Sequence, residues 1–525
     1  MTTVSPQALY DALRDRREIA LLDVREEAPF SGRHILRAVP APMSRLELAL
    51  PRLVPRPTTR VVLCDAGEGL AERAAARLAG FGYADVAVLV GGIEAWETAG
   101  LALYAGVHVP SKAFGEHVEQ ACKTPRIAPA ELARRLDRGE NIVVLDARPV
   151  DEYRRMSIPG GIDVPGAELV YRVHDIAPDP ATRVVVNCAG RTRSIIGAQS
   201  LIEAGIANPV AALENGTMGW HLAGLGLEHG AGRSAPAISA EGLAKAREAA
   251  ERVAARFGVT PIDADGLARL ATERDRTLYL LDVRSPEEYR AGHLAGARSA
   301  PGGQLVQATD SFVGTWNARL VLVDDSGVRA TMTASWLRRM GWPEVFVLAG
   351  PHAPLVEGDE AVPVLGLEAA RPEAVSPAAL AERLAAGATR VVDLDTSLGY
   401  RAGHIPGAWF AIRANLGASL PRIAGEDAVV LTSPDGVLAR LAAAEAGAVL
   451  GRPVAVLAGG TGAWRAAGLA LEAGHSRMAD APDDVWYKPY DHDDDVEAGM
   501  RAYLAWEVGL VERVAGDGTC PFPIG

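Results

Sequence analysis

The sequence predicts an α/β fold made of four tandem units, each a mainly parallel β-sheet with helices on both faces. Three observations support this prediction. One pattern of motifs occurs four times along the 525 residues. Within each copy, short runs rich in β-branched residues alternate with amphipathic helical stretches, as in βα units. These runs are apolar throughout, which is typical of strands buried on both faces of a parallel sheet.

Each unit opens with a predicted helix. In units one and four the helix follows a Ser-Pro pair, in which serine is a good N-cap and proline is favoured at the first helical position. The four helical stretches begin at Ser5, Ala128, Asp263 and Ser376.

The first predicted strand of each unit is a short apolar run that ends in an aspartate. These four aspartates are Asp23, Asp146, Asp282 and Asp393. In the first three units an arginine follows two places later, at Arg25, Arg148 and Arg284. Because two of these units lack the cysteine discussed below, the pairs are interpreted as structural ion pairs at the strand ends.

A second predicted strand begins about forty residues after each aspartate, as in RVVLCD and RVVVNC. A helical stretch ending in glycine and a third apolar run follow. Three units close with a Gly…Trp signature, and we expect Trp220 of unit two to be a packing residue. The third unit reads AGPHAP at this place instead. The three tryptophans are Trp96, Trp220 and Trp464.

Unit boundaries are predicted near residues 108, 233 and 363. The expected domains are residues 1–108, 109–232, 233–362 and 363–475, followed by a tail over residues 476–525. Two further helices are expected, at 239–258 and near 495–514.

The tail holds seven aspartates and His492 between residues 480 and 495. This segment has two possible interpretations, a metal site and a solvated acidic loop. The loop is favoured, and no metal is expected, because DHDDD lacks a recognised ligand spacing. Trp486, Tyr487 and Tyr490 are expected to fix the tail to a neighbouring domain.

The four cysteines lie far apart and form no CxxC pair, which fits a reducing compartment and predicts a cytoplasmic protein. Cys188 ends an apolar strand, 42 residues after Asp146, and precedes a loop with two arginines. The same spacing leads to Asp65 in unit one and Asp324 in unit three, and the strand pattern places Ser433 there in unit four. Cys64 falls one place earlier and matches Asn187, so its side chain is predicted to point the other way.

A loop between a strand and a helix directs backbone N–H groups and the positive helix end toward an anion. The loop after Cys188 suits that arrangement, and Gly190 allows it to curl tightly. Guanidinium groups bind tetrahedral oxyanions well, so one or both arginines are expected to face the pocket; pairing of Arg193 with a nearby acid is the alternative. The predicted substrate-binding residues are Ala189, Gly190, Arg191, Thr192, Arg193 and Ser194.

The ordered combination of LLDVR…EYRAGHL, NCAGRTRS and the GGxxAW-like closures resembles the rhodanese-like sulfurtransferases, in a form with four tandem rhodanese-like domains. The resemblance implies that Cys188 accepts a sulfane sulfur from a small anionic donor such as thiosulfate. The resulting persulfide passes its sulfur to cyanide or a thiol, and a protein acceptor is also open. No cofactor is implied. In the common loop of the family, glycine lies three places after cysteine, whereas Gly190 lies two places after it, so the choice of donor stays open.

Several other functions were weighed. The net charge of −13 argues against nucleic-acid partners and anionic membrane surfaces, and no apolar run has the length of a membrane span. A phosphatase resembling this family needs arginine six places after cysteine, where this chain has Ser194. The main alternative is a non-catalytic or regulatory protein that binds partners and relays sulfur from Cys188.

Overall fold

The computed structural model describes residues 1–350, 354–491 and 494–522, and it contains four similar units followed by a helical tail. Each unit has a five-stranded sheet in which every neighbouring pair of strands is parallel, with the same strand order in all four. The predicted fold class, parallel sheets flanked by helices and repeated in tandem, is confirmed.

Unit one has the strand order β1-β5-β4-β2-β3. Its first helix begins where Ser5 accepts a hydrogen bond from the backbone N–H of Ala8, as the Ser-Pro pair predicts. The strands are β1 (Thr2–Val4), β2 (Ala20–Asp23), β3 (Val39–Pro40), β4 (Val61–Cys64) and β5 (Val86–Leu89), and the helices are α1 (Pro6–Arg14), α2 (Glu27–Gly32), α3 (Leu46–Leu53), α4 (Leu70–Gly80) and α5 (Gly92–Thr98).

Unit two repeats this order as β6-β10-β9-β7-β8, and a long helix precedes it. The strands are β6 (Arg126–Ile127), β7 (Ile142–Asp146), β8 (Ile162–Asp163), β9 (Arg183–Asn187) and β10 (Val210–Leu213), and the helices are α6 (Val109–Cys122), α7 (Pro129–Asp137), α8 (Val150–Arg155), α9 (Glu168–Ile176), α10 (Thr192–Ala204) and α11 (Gly216–Leu222).

Unit three has the order β11-β16-β15-β12-β14 and an added antiparallel pair, β13 with β17. The helix predicted over 239–258 is α12. The strands are β11 (Thr260–Ile262), β12 (Leu278–Asp282), β13 (His293–Leu294), β14 (Arg298–Ser299), β15 (Arg319–Val323), β16 (Glu344–Leu348) and β17 (Leu355–Val356), and the helices are α12 (Ala240–Phe257), α13 (Ala264–Thr272), α14 (Pro286–Ala291), α15 (Gly302–Gln307) and α16 (Val328–Arg339).

Unit four has the order β18-β22-β21-β19-β20, and two tail helices follow it. The strands are β18 (Ala374–Val375), β19 (Thr389–Asp393), β20 (Trp409–Phe410), β21 (Ala428–Thr432) and β22 (Ala455–Leu457), and the helices are α17 (Pro377–Ala385), α18 (Ser397–Ala402), α19 (Leu416–Ala424), α20 (Val437–Leu450), α21 (Gly460–Ala466), α22 (Val496–Val508) and α23 (Leu510–Ala515). The single tail helix expected near 495–514 is thus two helices, separated at Gly509.

The sheets are buried on both faces, as their continuous apolar runs predict. In β9, Val184 and Val186 belong to one hydrophobic cluster, and Val185, between them, belongs to the cluster on the other face. The packing role predicted for Trp220 is confirmed and recurs in units one and four. The closing tryptophans Trp96, Trp220 and Trp464 are buried, and each indole donates to a carbonyl six residues later.

Polar contacts join the units. The Trp316 indole of unit three donates to the Arg37 carbonyl of unit one over 2.8 Å, and Arg413 of unit four pairs with Glu47 of unit one at 2.8 Å. Arg329, the single arginine that unit three keeps in its loop, is fully buried and pairs with Glu168 of unit two at 2.7 Å. That arginine therefore holds units two and three together.

Among the described residues, no helix is both long enough and apolar enough to cross a membrane.

Candidate active site

Cys188 is the first residue after β9 and lies at the carboxyl end of the unit-two sheet. Its side chain is 2% exposed and borders a cavity of about 270 Å³. The cavity walls come from the loop of unit two, from α6, from α15 of unit three and from the tail. Cys188 is therefore buried, but it lies against an open space that several parts of the chain enclose.

The loop between Cys188 and α10 offers a row of free backbone donors. No hydrogen-bond acceptor for the backbone N–H groups of residues 190–194 occurs within the described parts of the chain. The Cys188 thiol contacts Ser194 Oγ at 3.6 Å, and that hydroxyl donates to the Arg191 carbonyl over 2.7 Å. Free N–H groups around a sulfur atom at a helix N-terminus favour negative charge on that atom or on a bound anion.

The other three units fill the corresponding loop with a side chain of their own. Asp65 accepts from the backbone N–H groups of Gly67 at 2.9 Å and Ala71 at 3.1 Å. Asp324 accepts from those of Gly327 and Arg329 at 2.6 and 2.8 Å. In unit four, Ser433 Oγ accepts from Ala439 N–H at 3.3 Å. In these units some of the loop N–H groups are therefore bound by the residue at the cysteine position.

The strand register shows which residues correspond. Asn187 pairs with Asp146 in unit two, and Cys64 pairs with Asp23 in unit one, so Cys64 corresponds to Asn187 and not to Cys188. Thr432 pairs with Asp393 in the same way, so Ser433 follows the strand of unit four where Cys188 follows β9. Burial raises the pKa of the Cys64 thiol well above its ordinary value, which disfavours a thiolate there.

Each strand-end aspartate of units one to three forms the predicted ion pair with the arginine two places later. The distances are 2.6 Å for Asp23–Arg25, 2.7 Å for Asp146–Arg148 and 2.7 Å for Asp282–Arg284. In each case the arginine also donates to a backbone carbonyl eight residues further on. These pairs support the strand ends, as expected.

Arg193 lines the cavity with Cys188 and also pairs with an acid. Its guanidinium donates to Glu152 over 2.8 Å and to Gln304 of unit three over 3.0 Å. Burial opposes the charged form of Arg193, but Glu152 and the nearby Cys188 outweigh it and raise the pKa. Burial likewise opposes ionisation of Glu152, but Arg193 lowers the pKa of that carboxyl to about 2. Both groups are therefore charged at neutral pH.

Arg191 has surroundings different from those that the sequence predicts for a substrate-binding group. It is 5% exposed, and its guanidinium forms two 2.7 Å hydrogen bonds with Glu116 on α6 and another with Glu119. Two carboxylates thus bind this cation, and their effect is to tie the loop to α6. Both predicted arginines line the cavity, and each is paired with acid: Arg191 with two carboxylates and Arg193 with one.

Lys112 and Lys488 also line the cavity, and the sequence reasoning missed both. Lys112, on α6, pairs with Glu507 of the tail at 3.2 Å, and Lys488 lies 3.7 Å from Glu152. The amino-acid composition contains one indication of these two residues, because lysine is rare in this chain. The chain has four lysines among its 53 basic residues, and these two line one cavity; the others are Lys123 and Lys245.

The tail contacts the loop of unit two through Glu507, a fully buried residue of α22. Glu507 Oε1 accepts from the Thr192 hydroxyl over 3.1 Å. A Cβ at Gly190 would lie 3.0 Å from both Glu507 Oε2 and the Met218 methyl carbon, so the loop has little room for a side chain there. Met218 N–H in turn donates to the Ala189 carbonyl over 3.0 Å.

The tail contacts three units along the segment that borders the cavity. Asp484 accepts from Ser397 of unit four, Trp486 N–H donates to Glu27 of unit one, and Asp491 pairs with Arg155 of unit two. Trp486, Tyr490 and Tyr503 then line the cavity. The described residues contain no group of three or more His, Cys, Asp or Glu arranged to hold a metal ion, and His492 lies outside those residues.

Comparisons with known proteins give a consistent result. The model of the rhodanese-like domain family matches residues 5–99, 128–223, 263–351 and 376–467, more than half of the chain. A solved thiosulfate sulfurtransferase from Pseudomonas aeruginosa is 51% identical, with a TM-score of 0.96 and 100% of both chains covered.

Two curated relatives match only one region each. An HTH-type transcriptional regulator of Mycobacterium tuberculosis is 35% identical over 105 residues, 20% of this chain and 45% of that protein. An uncharacterized protein of Bacillus subtilis is 35% identical over 75 residues, 14% of this chain and 58% of that protein. The chain thus spans about half the length of the curated relatives that it matches.

Proposed function

The chain belongs to the rhodanese-like domain family, and on that premise we propose that it is a sulfurtransferase acting through a persulfide on Cys188. The proposed donor is thiosulfate, and the proposed acceptors are cyanide and small thiols. The name of the Pseudomonas aeruginosa protein, similar over the full length of both chains, supports this choice of reaction and donor.

One observation carries the proposal. Unit two alone has a thiol at the loop position where the other units have Asp65, Asp324 and Ser433. Its loop N–H groups are free, whereas those carboxylates and that hydroxyl accept N–H groups of their own loops. The cavity beside Cys188 is also lined by Lys112, Arg193 and Lys488, and a dianion such as thiosulfate matches this charge.

In the first half-reaction the Cys188 thiol loses its proton to water, and the thiolate attacks the outer sulfur of thiosulfate. A new S–S bond forms to Cys188 Sγ, the S–S bond within thiosulfate breaks, and sulfite leaves with the electron pair. We assign the N–H groups of residues 190–194 to the stabilisation of the thiolate and then of the persulfide. Ser194 assists, because its hydroxyl can rotate to donate to the sulfur.

In the second half-reaction the acceptor attacks the terminal sulfur of the persulfide. Cyanide forms thiocyanate and restores the Cys188 thiolate, so atoms and electrons balance without a cofactor. We assign Arg193, Lys112 and Lys488 to binding the donor. Arg191 and Thr192 hold the loop in place through their contacts with Glu116 and Glu507. Ala189 and Gly190 contribute backbone.

Residues 109–232 are proposed as the catalytic domain, and 1–108, 233–362 and 363–475 as inactive domains that enclose and support it. Gln304 of unit three at the cavity supports this division of roles. The tail, residues 476–525, is proposed to complete the cavity wall. We also propose a cytoplasmic location, since the four cysteines are free.

The test is thiocyanate formation from thiosulfate and cyanide. Wild-type protein should turn over, Cys188→Ser should not, and Cys64→Ser should keep its rate. Loss of activity in Cys64→Ser with retention in Cys188→Ser would overturn the assignment. A stable persulfide that cyanide cannot discharge would instead support the alternative, a relay to a specific protein partner.

A further inference from the structure

A second cavity, far larger than the one at Cys188, lies between units one and three. Its volume is about 950 Å³, and it shares no lining residue with the cavity at Cys188. In its wall, Arg60 directly precedes β4 and Arg276 lies two residues before β12, so the cavity opens at the amino ends of these strands. Cys188 lies at the carboxyl ends of the strands of its sheet. The two cavities therefore lie at opposite ends of the strands that border them.

The wall of this cavity is strongly basic in an acidic protein. Seven arginines and four carboxylates line it, although the whole chain has a formal net charge of −13. Four of the arginines pair with three carboxylates, one of which, Glu344, pairs with Arg276. Asp15 pairs with Arg17 at 3.1 Å and with Arg60 at 2.8 Å, and Glu18 pairs with Arg56 at 2.8 Å and Arg276 at 2.9 Å. These pairs leave an excess of positive charge.

The remaining three arginines, Arg14, Arg16 and Arg37, pair with no carboxylate among the described residues. Arg37 is 8% exposed, lies 4.8 Å from the centre of the Trp316 ring, and uses one guanidinium nitrogen to donate to the Leu13 carbonyl. Its Nε is buried and has no hydrogen-bond partner in the described chain. A buried, unsatisfied donor on a charged group is costly, and Arg37 lines the cavity, where an anion would lie against its guanidinium group.

The other charges in the wall do not cancel this excess. Asp85 and Asp275 add two exposed carboxylates, so that with Asp15, Glu18 and Glu344 five carboxylates stand against the seven arginines. Burial raises the pKa of the Cys520 thiol to about 11, so it is neutral at physiological pH. Burial lowers the pKa of Arg37 only to about 10, so Arg37 stays positive. The backbone of Pro521 packs against Gly341 and closes one side of the cavity.

We propose that this cavity between units one and three binds a small multivalent oxyanion, a molecule with at least two phosphate or carboxylate groups. Guanidinium groups form bidentate bonds with both kinds of group. The volume lies within the range of pockets that hold small organic ligands. Three unpaired guanidiniums match a ligand with more than one negative charge, and the site is separate from the sulfur chemistry.

Isothermal titration of the full-length protein tests this proposal, with pyrophosphate and citrate as probes and acetate as a monovalent control at matched ionic strength. The informative variant is Arg14→Gln/Arg16→Asn. Both side chains are exposed, and asparagine tolerates the positive φ of 59° at Arg16. The control Arg134→Gln/Arg138→Gln removes the same charge from exposed positions of unit two.

One-to-one binding of pyrophosphate or citrate is expected, weakened about tenfold or more in Arg14→Gln/Arg16→Asn and unchanged in the control pair. The tighter probe identifies the preferred group as phosphate or carboxylate. Sulfurtransfer should be the same in both double variants. Absence of saturable binding by either probe, or equal affinity in the two double variants, would overturn the proposal.

Discussion

Cys188 and Ser194 lie six residues apart, and their side chains meet at 3.6 Å between Sγ and Oγ. A contact over the same six-residue spacing recurs in the other units. There the side chains of Asp65, Asp324 and Ser433 accept from the backbone N–H groups of Ala71, Ala330 and Ala439. The repeat thus keeps one loop geometry, and unit two uses it to surround a sulfur atom.

Ser194→Ala should lower kcat/KM for thiosulfate by about tenfold or more, because a hydrogen bond to a charged atom is lost while the backbone donors remain. Steady-state kinetics with thiosulfate and cyanide measure this. Thr98→Ala, which removes an exposed hydroxyl bonded to a helical carbonyl, is the control and should match wild type. Equal rates in the two variants would remove Ser194 from the mechanism.

Arg193→Met and Arg191→Met should have different effects. Loss of Arg193 should raise KM for thiosulfate about tenfold, because one charge-assisted contact to the donor disappears. Loss of Arg191 should chiefly lower the melting temperature, because Glu116 and Glu119 lose the cation that they bind. Kinetics and thermal melts on both variants separate the roles, and the reverse pattern would contradict them.

Two of the four lysines, Lys488 and Lys245, provide a matched test of the positive charge at the cavity. Lys488→Met should raise KM for thiosulfate several-fold, since a cation close to the donor is lost. Lys245→Met removes the same charge from the exposed face of α12, where Lys245 pairs with Glu241, and should leave KM unchanged. Similar KM values for the two variants would mean that Lys488 does not face the donor.

Unit four has a buried strand-end aspartate without the usual arginine. Burial raises the pKa of Asp393 to about 7, and Asp395 stands where the other units have arginine. The unfolded pKa is near 3.9, so the folded state binds the extra proton between about pH 4 and 7. Stability from protonated Asp393 is therefore present at low pH and lost as pH rises through about 7.

Asp393→Asn should remove this dependence. The variant should melt close to wild type near pH 4 and at a higher temperature than wild type at pH 8, where its free energy of unfolding should exceed that of wild type by on the order of a few kcal/mol. Asp146→Asn, which leaves the buried Arg148 without its carboxylate, should destabilise at both values. Thermal melts at the two pH values check this, and an Asp393→Asn difference independent of pH would refute it.

The sequence predicted much of the fold because the repeat carries its own internal comparison. Loop positions such as Asp324 could be placed by counting from one copy to the next, and the strand pattern placed Ser433. The predicted helix boundaries held where capping residues such as Ser5 and Ser376 mark them. Gly509 does not interrupt the helical pattern of the sequence around it, so the break between α22 and α23 was not predicted.

The site was less predictable because its walls come from distant segments. No local pattern shows that Gln304 of unit three or Lys488 of the tail meets the loop at Cys188. The pairing of Arg191 with Glu116 depends on how α6 packs on α10, which is a tertiary contact. Rare lysines were a compositional signal, but their meeting at one cavity is a property of the folded chain.

The central claim is that Cys188, and no other cysteine, carries the sulfur. Full-length protein treated with thiosulfate, separated from excess reagent and digested without reductant, can be measured by peptide mass spectrometry. We predict one added sulfur atom on the peptide that holds Cys188, removed by cyanide, and none on the peptides of Cys64, Cys122 or Cys520. An unmodified Cys188 peptide, with the added sulfur on another cysteine, would contradict the account.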